Sequence, residues 1–236
     1  MGGKPRAKGK APLWVKLRKK SHPNKHSVVS KIEPKTETSS TTTHVHAHIF
    51  RYNPLMDFTS RHHPYSLPLK EGESALELLE RIKQRYDGSL TFRSSCGTGA
   101  CGTCGIKVNG KPVLGCLTQV KEHLDAHGSI RIEPLNEENV LKDLVIDEKE
   151  FFAQYYKVKP WMELRANEHA RQHRVQLEEI KHLGKTPFCI NCSICNTHAQ
   201  TDMSKELGPA AFAKGYRYLR DVRDGGITRL ETLQSH

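Results

Sequence analysis

The sequence predicts an α+β fold, a small β-grasp domain followed by a set of helices. Three observations carry that prediction. Between residues 44 and 135, short segments of alternating polarity surround one amphipathic helix. A glycine-rich stretch holding four cysteines lies among them. From about residue 146 the alternation stops and helical periodicity takes over.

The first strand is HVHAHIFRYN at 44–53, with Val45, Ala47 and Ile49 on one side and His44, His46, His48 and Phe50 on the other. Three histidines on one strand face have the chemistry to ligate a metal. No fourth ligand is suggested nearby, so the plainer reading is a solvated edge face. A short strand is expected around 65–70. Ser74 then opens a helix (SALELLERIKQRY) with Leu76, Leu79 and Ile82 on one face, ended by Asp87-Gly88. Strand signals return at 89–92, at 105–108 before an Asn109-Gly110 turn, at 113–117 and at 129–134. Helical patterns follow at 148–156 and from Pro160 through Trp161 to Leu183, closed by Gly184 and Pro187. A last helix starts near Pro209, places Phe212, Tyr216 and Leu219 on one face, and ends at Gly225-Gly226.

The cysteine stretch reads SSCGTGACGTCGIKVNGKPVLGC and supplies Cys96, Cys101, Cys104 and Cys116. Its C-x4-C-x2-C…C spacing is the plant-type pattern for a [2Fe–2S] cluster held by four thiolates. Gly97, Gly99, Ala100 and Gly102 fill the gaps, where small residues let the backbone approach a cluster and aim N–H groups at its sulfurs. Structural zinc is a weaker fit, because it favours paired C-x2-4-C knuckles on either side of a longer spacer. Disulfides fit less well still: nothing at the N-terminus resembles a secretory signal, and seven cysteines do not pair off.

A second group, Cys189, Cys192 and Cys195 in PFCINCSICNTHAQ, gives C-x2-C-x2-C. The bacterial-type [4Fe–4S] run continues x3-C-P, and here Ala199-Gln200 stands in that place. A cubane needs a fourth thiolate, and none of the seven cysteines follows Cys195. Three readings stand: a [4Fe–4S] cluster completed by a second polypeptide, a remnant without metal, or zinc with His198 in a cramped fourth position.

The formal charge of +11 is concentrated at the start of the chain. Residues 1–45 carry eleven Lys/Arg, Lys4 through Lys35, against Glu33 and Glu37, so they hold most of the excess. The remainder is nearly neutral and shows no basic aromatic face, which argues against a nucleic-acid partner. The arm, poor in acids and containing Ser and Thr, reads as an organelle-targeting segment or as a retained arm on an anionic partner or lipid headgroups. No apolar run approaches the ~18 residues of a membrane-spanning helix. The expected organisation is therefore a basic arm at 1–45, a plant-type [2Fe–2S] ferredoxin domain at 46–145 and a partial helical domain at 146–236.

Plant-type site first, bacterial-type site second and a helical linker between them: this order resembles the iron–sulfur subunit of succinate dehydrogenase and fumarate reductase, respiratory complex II. LTFRSSCGTGACGTCGIKVNGKPVLGC looks like the family's first cluster loop, with Gly97 where many members have Arg. LKDLVIDEKEFFAQYYKVKPW at 141–161 looks like its interdomain segment, and ELGPAAFAKGYRYLRDVRDGG at 206–226 like the helix after its second cysteine group. The resemblance implies a β-grasp [2Fe–2S] ferredoxin-like domain followed by an incomplete all-α ferredoxin-like domain. It implies an electron-transfer subunit taking electrons one at a time from the FAD of a flavoprotein partner toward ubiquinone, with no general acid, base or nucleophile for succinate on this chain. Three further family cysteines, two for a [3Fe–4S] cluster and one completing the [4Fe–4S], have no counterpart here. The family's quinone-site Pro, Ser and Trp are replaced in the stretch Gln200, Thr201, Asp202 and Met203. The chain thus looks like the N-terminal half of a subunit encoded as two polypeptides. The partners expected are a flavoprotein, a companion chain with the missing cysteines, and membrane-anchor subunits at the matrix side of the mitochondrial inner membrane. A stand-alone ferredoxin-like shuttle is the alternative.

Overall fold

The structure is a computed structural model and describes residues 44–163, 175–184, 188–200, 202 and 204–235; the basic arm, apart from its last two residues, lies outside them. Five strands form one mixed sheet: β1 (His44–Arg51), β2 (Arg61–Pro68), β3 (Gly105–Val108), β4 (Lys111–Leu114) and β5 (Ser129–Glu133), in the order β2-β1-β5-β3-β4. The central pair β1 and β5 runs parallel and every other pairing is antiparallel. The connection between β2 and β3 carries helix α1 (Ala75–Arg85) across the sheet. Ser74 and Glu77 start it with a reciprocal capping box, the Ser74 N–H donating to Glu77 Oε2 at 2.8 Å. Leu78, Leu79 and Ile82 of α1 pack on Val45, Ala47, Ile49, Leu67, Val108, Ile130 and Ile132, all essentially inaccessible to water. Each such side chain contributes about 1.5–3 kcal/mol on burial, so this helix–sheet sandwich is the main source of stability in the first domain.

The alternation expected for β1 is found in Val45, Ala47 and Ile49. Two details differ. β1 is an inner strand, paired on both sides, and β2 is the edge. Phe50 is buried on the histidine face, with the His62 ring edge-on at 5.9 Å.

Register fixes where the cysteines fall. Ile49 lies beside Ile132, Lys107 beside Glu133 and Gly105 beside Leu114. The ends of β1, β5 and β4 and the start of β3 therefore share one end of the sheet. Cys104 and Cys116 flank the strands there. The segment leading to Cys96 reaches the same end without being a strand: the expected strand at 89–92 is absent. Asp143 takes its place as a partner. The Thr91 N–H donates to Asp143 Oδ2 (2.9 Å), the Leu144 N–H to the Thr91 carbonyl (3.2 Å), and Arg51 Nε to Asp143 Oδ1 (2.9 Å). The Arg51 guanidinium also donates to Tyr65, Asp87 and Ser89. Burial alone would lower the Arg51 pKa; its bonds to Asp143 and Asp87 outweigh that and raise it. The stretch at 113–117 divides, β4 ending at Leu114 and Gly115–Leu117 forming a 3-10 turn.

After the hairpin β6 (Val140–Lys142) and β7 (Val145–Ile146) come helices α2 (Lys149–Lys157), α3 (Leu177–Gly184), α4 (Ile194–His198), α5 (Gly208–Leu219) and α6 (Ile227–Gln234). The helix expected from Pro160 does not form at its start. Lys159 has φ +47° and residues 159–163 are non-helical. The fully buried Arg229 of α6 takes the carbonyls of Val158, Lys159 and Trp161 at 2.9–3.0 Å and pairs with Asp224. Residues 164–174 lie outside the described residues, and only Leu177–Gly184 of that expected helix is seen. Gly225-Gly226 lead into α6 instead of ending α5. α5 buries Ala210 and Ala211 and leaves Phe212 and Tyr216 40% and 50% exposed, so its small residues, and not the expected aromatic face, make the contact.

The second cysteine loop seats directly on the first. A Cβ added at Gly102 would lie 2.6 Å from the Ile190 carbonyl oxygen and 3.0 Å from Cys192 Cβ. Between the loops remains a cavity of about 20 Å³, lined in part by Gly102, Gly105, Leu135 and Cys192.

Two stability measurements test this account. Asp143→Ala leaves Arg51 Nε and the Tyr52 and Thr91 N–H groups without their acceptor, while Asp87 still pairs with the guanidinium, and should cost about 1–3 kcal/mol in urea unfolding, with Asp143→Asn milder; no measurable loss for either would show the pair to be unimportant. Gly97 and Gly102 both have φ near +70°, but nothing lies within 4 Å of a Cβ at Gly97. Gly97→Ala should therefore cost only the backbone term of about 1–2 kcal/mol. Gly102→Ala should cost about 1–3 kcal/mol more, because the loops must part; equal losses would mean that they are not in contact.

Candidate [2Fe–2S] site and the second cysteine loop

Cys96, Cys101, Cys104 and Cys116 lie at one end of the sheet, and none of the seven cysteines is in a disulfide. Cys104 ends the loop where β3 begins and is buried, its carbonyl accepting from the Gly115 N–H at 2.9 Å, which ties it to the turn carrying Cys116. Cys96 is exposed, while Cys101 and Cys116 are half-buried.

The loop aims backbone donors at sulfur. The N–H groups of Thr98, Ala100 and Cys101 point at Cys96 Sγ at 3.4, 3.3 and 3.3 Å. The Gly99 N–H points at Cys116 Sγ at 3.2 Å, and the Thr103 hydroxyl lies 3.2 Å from Cys101 Sγ. Positive φ at Gly97, Gly99 and Gly102 permits this wrapping. Donation from Thr98 first, then from the Cys101 thiol and N–H, pushes the Cys96 thiol down to about 6. The Thr103 hydroxyl, then the backbone hydrogen bond with Cys96, lowers Cys101, against the Cys96 side chain, which raises it. Burial pushes Cys104 up to about 11. Three features suit a thiolate-bound cluster: the donor set is all sulfur, fixed dipoles meet it, and the buried member needs a cation to offset its charge. The residues fit a [2Fe–2S] group. Among the described residues no three His, Cys, Asp or Glu side chains converge as a site for a single metal ion, the β1 histidines included.

The second group is built differently. The Asn191 N–H points at Cys189 Sγ (3.4 Å), and the Cys189 and Cys195 thiols donate to the Asn191 and Asn196 side-chain carbonyls, both at 3.3 Å. Asn191 and Ser193 adopt φ of +57° and +60°, a conformation that Asn takes readily and that Ser holds only when its surroundings enforce it. Surrounding protein, then the neighbouring Cys189 and Cys192 sulfurs, pushes the Cys195 thiol up, although Cys195 still reaches solvent. Of the residues in place of the quinone-site motif, Gln200 and Asp202 are exposed, and Thr201 and Met203 lie outside the described residues.

Several contributors escape sequence reasoning. Backbone donors at Thr98 and Ala100 carry no side-chain signal beyond the surrounding glycines. Thr103, a hydroxyl between two cysteines, could have been picked out on that ground. Asp143 and Arg51 are 92 residues apart and nothing local links them.

Comparison with known proteins agrees with this geometry. Residues 46–153 match the family model described as a 2Fe-2S iron-sulfur cluster binding domain. The chain is 36% identical over 186 residues to the fumarate reductase iron-sulfur subunit of Mycobacterium tuberculosis (strain CDC 1551 / Oshkosh), covering 75% of this chain and 73% of that protein. In fold it is similar to a chain of the Mycobacterium smegmatis Sdh1 complex in the apo form, with a TM-score of 0.72, 22% identity, and 82% and 81% of the two chains covered. It is also similar in fold to a hypothetical protein from Helicobacter pylori, with a TM-score of 0.51, 19% identity, and 84% and 33% covered. The cysteine pattern, its loop geometry and these likenesses together show that the chain belongs to the family of iron–sulfur subunits of succinate dehydrogenase and fumarate reductase.

Proposed function

We propose that this chain is the electron-transfer subunit of a succinate:quinone oxidoreductase, carrying electrons one at a time from the FAD of a flavoprotein subunit toward ubiquinone. Cys96, Cys101, Cys104 and Cys116 hold the [2Fe–2S] cluster. One observation carries the reading: the cysteine loop has two unlike sides. Cys96 is open to solvent, where a donor protein can approach, and Gly102 is packed on the Ile190–Cys192 backbone, where the path continues inward.

When bound, the cluster supplies one-electron chemistry. The protein's part is electrostatic and geometric. The amides of Thr98, Ala100 and Cys101 stabilise negative charge on Cys96, and that of Gly99 stabilises it on Cys116; such bonds set how readily the site accepts an electron. The Arg51–Asp143 pair holds the strand-free approach to Cys96 in place. Bond-making chemistry on succinate belongs to the flavoprotein in this reading.

For Cys189, Cys192 and Cys195, the enforced backbone at Ser193 supports a retained ligand role over a remnant. A [4Fe–4S] cluster there takes its fourth thiolate from outside residues 1–236, and the [3Fe–4S] centre likewise lies outside them. We place the assembly at the matrix side of the mitochondrial inner membrane, held there by anchor subunits. Among the described residues no helix is long and apolar enough to cross a membrane. The division into an arm at 1–45, a [2Fe–2S] domain at 46–145 and a helical domain at 146–236 belongs to the same reading.

Two experiments test it. Cys101→Ser should abolish or strongly perturb the EPR signal of the reduced [2Fe–2S] cluster; an unchanged spectrum removes the ligand assignment. Purification of the native assembly through a tag on this chain should bring down a flavoprotein and a chain bearing the missing cysteines. Recovery alone, or with only a ferredoxin reductase, would replace the relay by a stand-alone shuttle.

A further inference from the structure

The β1–β2 connection, residues 53–60 within it, has an internally hydrogen-bonded backbone and an apolar surface. Asn53 organises it: its side-chain carbonyl accepts from the Leu55 N–H (3.1 Å), and its backbone carbonyl from those of Met56 (3.0 Å) and Asp57 (2.8 Å). Asp57 returns the favour to the Asn53 N–H at 2.7 Å and pairs with Arg61 at 2.8 Å. On this braced loop Leu55, Met56 and Phe58 are 92%, 80% and 104% exposed, the three highest values for large apolar side chains among the described residues. One exposed leucine needs no explanation. Three large apolar groups within four residues, on a backbone already fixed, form a contact surface whose burial energy this chain leaves unused.

Its location says what it meets. The loop leaves β1 at Arg51 and enters β2 at Arg61, at the end of the sheet where β3 starts and the cysteine loop lies. Leu117, 61% exposed, packs beside Gly99 on that cysteine loop and adds a second apolar point at the same end. Whatever protein delivers electrons must cover the open Cys96 side, and a surface large enough for a specific complex, about 800 Å² per partner, extends well beyond one loop. We infer that Leu55, Met56 and Phe58 anchor the flavoprotein subunit over the exposed side of the cysteine loop, seating in an apolar pocket whose polar edge meets Asp57 and Arg61. The inference rests on the relay reading above.

The test is a titration of the full-length, cluster-loaded chain with the flavoprotein subunit encoded by the same genome, together with EPR and thermal unfolding. Leu55→Ser/Met56→Ser/Phe58→Ser should weaken binding about a hundredfold and Phe58→Ala about tenfold, the range of interface hot spots. Both should keep the wild-type EPR signal and unfolding midpoint, since these side chains face solvent. Wild-type binding with both variants within twofold of it overturns the anchor and leaves the relay standing. In that case a variant that loses affinity for cardiolipin-containing vesicles, or loses self-association, reassigns the loop to lipid or to a second copy. A wild-type chain that does not bind the flavoprotein overturns relay and anchor together.

Discussion

The buried pair of Arg51 and Asp143 is the contact on which the cluster loop depends. Two charges taken out of water are costly, and a buried ion pair is often no more stable than a well-packed apolar one. Here the pair is fully engaged: the guanidinium meets Asp143, Asp87, Tyr65 and Ser89, and the Asp143 carboxylate also accepts from the Tyr52 and Thr91 amides. What it provides is position. The chain must run from the end of α1 to Cys96 without sheet partners, and Asp143 supplies the acceptor that a neighbouring strand would otherwise offer. Cys104 and Cys116 are fixed by β3 and β4; Cys96 is fixed by this polar knot. Four sulfurs in one place require both devices.

The sulfurs are not equivalent, and the inequality follows from the fold. Cys104 sits where β3 meets the core, so its thiolate is disfavoured by burial; Cys96 sits on the outer turn, where amides favour it. Without iron Cys104 stays a neutral thiol, so loading the site must displace its proton. With a cluster bound, the same gradient gives the site a wet, donor-rich side and a dry side.

How much of this was legible in the sequence depends on the range of each interaction. The cysteine spacing, the glycines between them, the capping box at Ser74 and the alternation in β1 are local patterns, and each is found in the structure. The failures come from long-range contacts. Residues 89–92 have strand-like composition, but their partner is a side chain about fifty residues away. Phe50 falls on the polar face of β1 by alternation and is nonetheless covered, because His62 lies opposite it. Residues 160–163 read as a helix start. The carbonyls of Val158, Lys159 and Trp161 are instead engaged by Arg229, some seventy residues on, which holds this turn open. The exposed loop at 53–60 left no mark in a reading that looked for periodicity, since its meaning lies in what it fails to bury.

The junction between the two cysteine loops bears on whether the second is a relic. The loop that seats the Ile190 carbonyl on Gly102 has left-handed backbone at Asn191 and Ser193, a conformation that Asn visits readily and that costs Ser of order 1–2 kcal/mol. Part of this is offset by packing against Gly102 and Gly105, but packing alone could be had from a relaxed loop with glycine at both positions. The turns also gather three sulfurs and direct the Asn191 amide at one of them. A loop with no ligand duty has no need of three sulfurs on such a backbone, and the close seat at Gly102 sets this one directly against the first cysteine loop.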